Sequence, residues 1–382
     1  MTLFEPSWDQ AREAASVAVL RGSIEVLDIN QCVDRVLSED ALSLVALPTY
    51  ETSAMDGYVV AGRGPWKIIG EIKAGAPFNN KLQDGQALGI ATGAVIPDGA
   101  FGVIRWENAK VNGDQLTGVT SARKDFRPAG DESKAEEVLF KAGTKLTPAM
   151  VGLLAAAGHD QLSVVKRPKV ALLLFGDEIQ LNGLPKDGLV RDSLGPQLPA
   201  WLEKLGCEVI RIEYVADELQ LTIDAIKMAS EQCDLIATTG GTADGPRDFL
   251  VPAINALNGE VLIKQIACRP GHPQVLGKVN GKALLGLPGN PQSAVVALMT
   301  IGQPVINSLL GAKLPELPVI TTDDQFEAQP GFTRLVLGNL VGNKFIKSEY
   351  LGSAMLRGLA HAQGFAICTN PPTSLRWLGL PL

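Results

Sequence analysis

Three histidines and five cysteines in 382 residues leave little of the usual equipment for zinc or thiol chemistry. Cys32, Cys207, Cys233, Cys268 and Cys368 are odd in number, scattered, and form no Cys-x-x-Cys pair. They fit buried thiols in a reducing cytosol better than a disulfide framework or a zinc site. His159, His272 and His361 lack the paired spacing of a zinc hydrolase. Excess positive charge is also absent: a net charge of −7 argues against whole-protein attraction to nucleic acid or anionic lipid, though not against local basic patches. The first ten residues carry Glu5 and Asp9 where an export signal needs a basic and then an apolar stretch. The apolar runs 150–158 and 294–306 fall short of the roughly 20 residues that span a bilayer. The expectation is a cytoplasmic chain with neither membrane nor nucleic acid as partner, whose chemistry rests on carboxylates, lysines, hydroxyls and backbone amides.

Forty glycines and 46% hydrophobic residues are present, enough for two to four domains at roughly 100–200 residues each. Ser7 and Gln10 make a capping box ahead of Trp8, Ala11, Ala15 and Val19 at helical spacing, so a helix opens the chain. A second short helix is expected over 31–36. From Pro48 the texture turns to short β-rich runs at 58–61, 66–72, 86–91 and 102–106, punctuated by glycine and proline. Pro148 and Gly158 then bracket another helix.

Beyond Arg167 apolar strands at 170–175, 208–212, 235–238 and 283–287 alternate with helical stretches at 197–205, 218–231, 248–257 and 291–310. That alternation specifies a doubly wound parallel sheet, in which ligands bind at the carboxyl ends of strands. The fold class expected is multidomain α/β. A discontinuous helical, elongated domain (1–47 and 126–165) carries an inserted β domain (48–125), followed by the doubly wound domain (166–313) and a small C-terminal β domain (314–382), a barrel or sandwich.

Four loops fall at strand ends. Gly176-Asp177-Glu178 offers paired acids that can hold Mg²⁺ or a ligand hydroxyl, or equally cap a helix. Thr238-Thr239-Gly240-Gly241-Thr242-Ala243-Asp244-Gly245, followed by Arg247 and Asp248, lets backbone N–H groups approach an anion, and its hydroxyls and acids exceed the needs of a tight turn. Pro288-Gly289-Asn290-Pro291 reads on its own as a rigid turn. Lys264 to His272 gathers three cationic groups beside a Pro-Gly turn, either a solvated basic turn or an oxyanion site. A P-loop is excluded there, since the glycine gap before Lys278 is one residue too long and Val279 stands where Ser or Thr is required. In the β insert, Asp56-Gly57 and Thr92-Gly93 read first as turns.

Taken together and in order, these loops resemble the MoeA family of molybdopterin molybdenumtransferases, related to the E domain of gephyrin. The resemblance rests on Ser53-Ala54-Met55-Asp56-Gly57-Tyr58, Thr92-Gly93, Gly176-Asp177-Glu178, Asp192-Ser193, Gly240-Gly241 with Asp248, Lys264, and Pro288-Gly289-Asn290-Pro291-Gln292-Ser293-Ala294. It implies a molybdopterin-binding doubly wound domain and an elongated homodimer, with the site between that domain of one subunit and the β insert of the other. It implies binding of adenylylated molybdopterin, release of AMP, and insertion of molybdenum from molybdate, with Mg²⁺ assisting. Asp56, Thr92, Glu178, Asp248 and Lys264 would be catalytic, and Asp56, Glu178 and Asp248 would also hold the metal. Asp177, Asp192, Ser193, Asp217, Gly240, Gly241, Thr242, Arg269, His272, Pro288, Gly289, Asn290, Pro291 and Ser293 would bind substrate. Other proteins of molybdenum cofactor biosynthesis are implied as partners.

The chain departs from the family pattern at ligand-facing positions. Arg269-Pro270-Gly271-His272-Pro273 replaces Lys-Pro-Gly-Lys-Pro, Leu194 follows Asp192-Ser193 in place of Asn, and Ala243 removes a hydroxyl from Gly-Gly-x-Ser. His272 carries full charge only when protonated, and Arg269 meets an oxyanion with a planar fork instead of a point charge. The alternative function is therefore a divergent, non-catalytic molybdopterin-binding or scaffolding paralogue. A hydrolase of another nucleotide is a third, on fold analogy alone.

Overall fold

The computed structural model describes residues 2–73, 75–121, 124–370 and 374–382; Met1 and the few remaining positions of the expected domains lie outside it. The strand Lys169–Phe175 is an interior strand of a seven-stranded sheet, apolar on both faces because both faces are covered. Burying each of its leucines contributes about 1.5–3 kcal/mol. It pairs in parallel with Glu208–Val215 and Leu235–Thr239, and the latter pairs in parallel with Lys282–Leu287. These are the four strands expected.

The sheet is nevertheless mixed, not wholly parallel. Val275–Val279 runs antiparallel to both Lys282–Leu287 and Glu260–Lys264. The hairpin between 279 and 282 turns through Asn280 and Gly281, at φ 51° and 76°. Asn-Gly is the strongest two-residue hairpin signal a sequence carries, and here it marks the strand the alternation missed. The same dipeptide at Asn112-Gly113 closes Lys110–Asn112 onto Gln115–Thr117, extending the four expected strands of the β insert to a six-stranded sheet.

The opening helix forms as its capping box dictates, over Trp8–Ser16. Its place corrects the expected first domain. Leu3–Phe4 adds a parallel strand to the seven-stranded sheet beside Glu260–Lys264. The indole N–H of Trp8 donates to Thr300 Oγ1 at 3.0 Å, and the buried Arg12 donates to the Met299 carbonyl. Burial pushes the Arg12 guanidinium down to about 10. The start of the chain is thus part of the doubly wound body.

What remains of that first domain is less helical than expected. Ile24–Asp28 pairs antiparallel with Gln161–Val165 and Ala41–Leu42 with Val138–Phe140, around the single α-helix Pro148–Ala156. In place of a helix over 31–36 there is one 3₁₀ turn, Ile29–Gln31.

Pro291–Leu310 forms a continuous helical run, with a π turn at Leu298–Gly302, that is long and apolar enough to cross a membrane. The expectation that this stretch falls short in length is corrected. Its apolarity serves the core: 83% of its most apolar 18-residue stretch is buried inside the fold, between the large sheet, the opening helix and the C-terminal sheet. The last domain is a six-stranded sheet that curls into the expected barrel, since Val319, just ahead of the strand Thr321–Thr322, bridges Arg376 at the opposite edge, and one strand, Cys268–Arg269, comes from the doubly wound body.

Candidate functional site

Gly240 organises the strand-end loops. It sits at φ +79°, its N–H donates to the Leu287 carbonyl at 2.9 Å, and a Cβ there would lie 3.1 Å from the Phe175 carbonyl oxygen. A Cβ on Gly289 would approach Gly240 Cα at 3.9 Å. Three strands therefore deliver their loops to one place, and at Gly240 the left-handed φ and the tight approach to Phe175 favour a residue without a side chain. Gly241 continues the left-handed turn at φ +64°.

Around this point, Asp177 Oδ1 accepts the Asp217 N–H at 3.1 Å, and Asp177 Oδ2 lies 3.3 Å from Arg247 Nη1. Burial, with the charges of Asp177 and Glu178 adding to it, raises the Asp217 carboxyl above the ordinary range. Glu178 folds back over Gly176, where a Cβ would lie 2.6 Å from its Oε2. Asp248 Oδ2 accepts the Gly245 N–H at 2.6 Å, and Lys264 Nζ reaches Asp244 Oδ1 at 2.6 Å. Asp177, Glu178, Asp217, Gly240, Gly241, Asp248, Lys264 and the Pro288 to Pro291 turn are thus neighbours by construction. Asn290 opens the following helix without using its side chain as a cap, which leaves its amide exposed.

Other predicted residues are placed elsewhere. Asp192 Oδ1 accepts the N–H groups of Leu194 and Gly195 at 3.0 Å and Oδ2 accepts the Tyr214 hydroxyl at 2.8 Å, so its carboxylate is spent on a helix start. Burial first and the Asp192 bond second push the Tyr214 hydroxyl up to about 12. Ser193 faces an apolar groove beside Trp201 and Leu356. Thr242 is buried, with its methyl over Gly286, and Ser293 is buried as well. Arg269 stacks over Phe332 at 5.6 Å, and His272 Nε2 meets Glu5 Oε1 at 2.8 Å. The basic run therefore splits: Lys264 joins the strand-end loops, while Arg269 and His272 hold the seam between the opening strand and the C-terminal sheet. Three buried groups in loops the sequence singled out, but not among the residues assigned a role, lack hydrogen-bond partners among the described residues: the hydroxyls of Thr238 and Thr239 and the Gln292 amide nitrogen.

In the β insert, Asp56 Oδ1 accepts the Thr92 N–H at 2.6 Å, uniting two loops that lie far apart in sequence. Both line a cavity of about 1130 Å³. A Cβ on Gly57 would overlap the Ile104 carbonyl, so glycine is what lets these strands close. Arg105 Nε and Nη2 clamp the Asp125 carboxylate at 2.9 Å each. That bond is the main reason the Asp125 carboxyl lies below its ordinary range. A depressed folded value means its stabilisation is full above the ordinary carboxylate range and is lost as pH falls through the folded value. Asp125→Asn is expected to lower the thermal midpoint at neutral pH, with the gap to the parent closing in acid; a gap that widens in acid contradicts this.

Asp56, Glu178 and Asp248 do not assemble into a metal centre. Among the described residues no group of three or more His, Cys, Asp or Glu side chains is placed to hold an ion, and no hydrogen bond or ion pair joins the Asp56 loop to the strand-end loops. Within one chain the predicted set does not fit Mg²⁺.

Residues 6–158 match the family description "MoeA N-terminal region (domain I and II)" and residues 171–308 match "Probable molybdopterin binding domain". The chain is 30% identical over 353 residues to a molybdopterin molybdenumtransferase of Staphylococcus aureus strain COL, covering 87% of this chain and 84% of that protein. A protein of the same name from Staphylococcus epidermidis strain RP62A is 28% identical over 371 residues, covering 90% and 88%. The crystal structure of a molybdopterin biosynthesis MoeA protein from Pyrococcus horikoshii superposes with a TM-score of 0.79 at 26% identity, over 98% of this chain and 97% of that one.

Proposed function

Because the chain belongs to the MoeA family, we propose that it is a molybdopterin molybdenumtransferase, acting on adenylylated molybdopterin to release AMP and insert molybdenum from molybdate. The observation that carries this is the meeting of the Gly240-Gly241 turn, Lys264 and the Pro288 to Pro291 turn at the strand ends, where a phosphate-bearing pterin is met by N–H groups and an ammonium. Lys264 supplies positive charge to the bond that is cleaved, and Asp248 and Glu178 supply negative charge nearby. The relatives carry the transferase name, and nothing among them supports the non-catalytic alternative.

The division of acids between two separate places in one chain supports a homodimer. A second copy that sets its Asp56 and Thr92 loop against the Glu178 and Asp248 loops completes the constellation. Mg²⁺ fits only such a composite, and no step is assigned to it within one chain. Arg269 and His272, paired elsewhere, are second-rank contacts in this reading. The five unpaired thiols support a cytoplasmic location, where other proteins of molybdenum cofactor biosynthesis would deliver and receive the pterin. Incubating the protein with adenylylated molybdopterin, molybdate and Mg²⁺ should release AMP above a no-enzyme control; absence of release sinks the proposal.

A further inference from the structure

Trp106 is 59% exposed, although a large indole ordinarily finds cover. It stands on the rim of the cavity that holds Asp56 and Thr92. Its position is fixed from three directions. The preceding Arg105 is clamped to Asp125, the Trp106 N–H donates to the Asp56 carbonyl at 3.4 Å, and the 3₁₀ turn Trp106–Asn108 closes behind it. The Tyr58 ring lies 5.6 Å from the indole, tilted by 40°, as aromatic pairs do. Elsewhere the cavity is lined by Gly70 and Gly89, which present bare backbone, and by Ile68 and Ile90. Its one lysine, Lys73, is paired with Glu71 at 3.4 Å. The cavity is shaped for a flat, weakly charged ring, not for a bare phosphate.

We propose that Trp106, backed by Tyr58, is a stacking shelf for the fused heteroaromatic ring of the pterin nucleotide, either adenine or pterin. A ring seated there leaves its phosphate linkage beside Asp56 and Thr92. An indole is suited to this work because it offers a large rigid face with only two side-chain torsions to order. The inference rests on the transferase reading and adds a substrate subsite to it.

The test is equilibrium dialysis of AMP and, separately, of molybdopterin against the full-length parent, Trp106→Ala and Trp106→Phe. Trp106→Ala should weaken one of the two ligands by about fivefold to a hundredfold, and Trp106→Phe should hold it within about threefold. Loss of AMP affinity identifies adenine as the stacked ring, and loss of molybdopterin affinity identifies the pterin. Unchanged affinity for both overturns the shelf. So does a Trp106→Ala protein that elutes as a smaller species with ligand affinity intact, which would make the indole an interface residue. The two readings fail separately: a parent that binds through Trp106 but releases no AMP keeps the shelf and loses the transferase.

Discussion

Asp248→Asn should lower AMP release by about 10²- to 10⁴-fold, the range for loss of a positioned acid or base. It should leave thermal unfolding almost unchanged. Asp248 Oδ2 accepts the Gly245 N–H at 2.6 Å, and an asparagine carbonyl oxygen can take over that bond. The turn ahead of the helix Leu250–Ala256 is then retained while the charge is removed. A variant that unfolds at a much lower temperature, with activity per folded molecule preserved, would show that the carboxylate serves the turn and not the reaction.

Asp56→Asn should cost turnover on the same scale, about 10²- to 10⁴-fold. Here too the local hydrogen bond survives, because the Thr92 N–H needs only an acceptor. Asp56 is exposed just ahead of the interior strand Gly57–Val60, and its pairing with Thr92 N–H uses one oxygen, leaving the other for a ligand. The measurement is kcat beside AMP affinity: kcat should collapse while AMP still binds. Parallel loss of both, with the β insert unfolded, would assign Asp56 to the turn that Asp-Gly ordinarily signals.

Much of this site was legible in the sequence because its loops are written in glycine and proline. A close approach at Gly57, and a left-handed φ with a tight approach at Gly240, disfavour side chains, so those positions declare themselves. Lys264 was legible as part of a cationic run and by the resemblance, while the strand Glu260–Lys264 that carries it was not among those expected. Arg269 and His272 misled because nearness in sequence is not nearness in space. Between Lys264 and Arg269 the chain leaves one sheet and enters another, carrying the two groups to Phe332 and Glu5. Asp192 misled differently, since a carboxylate before a helix reads alike whether it binds a ligand or caps, and here it caps. The opening helix starts where its capping box places it and ends at Ser16, short of the Val19 that the spacing included; its packing was not legible, because a capping box is local and the Thr300 hydroxyl that receives the Trp8 indole is not. Trp106 read as the end of a strand; only its exposure, a property of the fold, marks it for other work.

The central claim is a transferase whose site is shared between two copies of the chain, and mixing inactive variants tests it most directly. Asp56→Asn and Asp248→Asn proteins are unfolded together in equal amounts, refolded, and assayed for AMP release from adenylylated molybdopterin. In a two-fold dimer with shared sites, half the dimers are mixed and each mixed dimer has one intact site, so activity should return to about a quarter of the parent's. If the mixture stays as inactive as either variant, with mixed dimers confirmed by mass, Asp56 and Asp248 serve the same subunit's site and the account is contradicted.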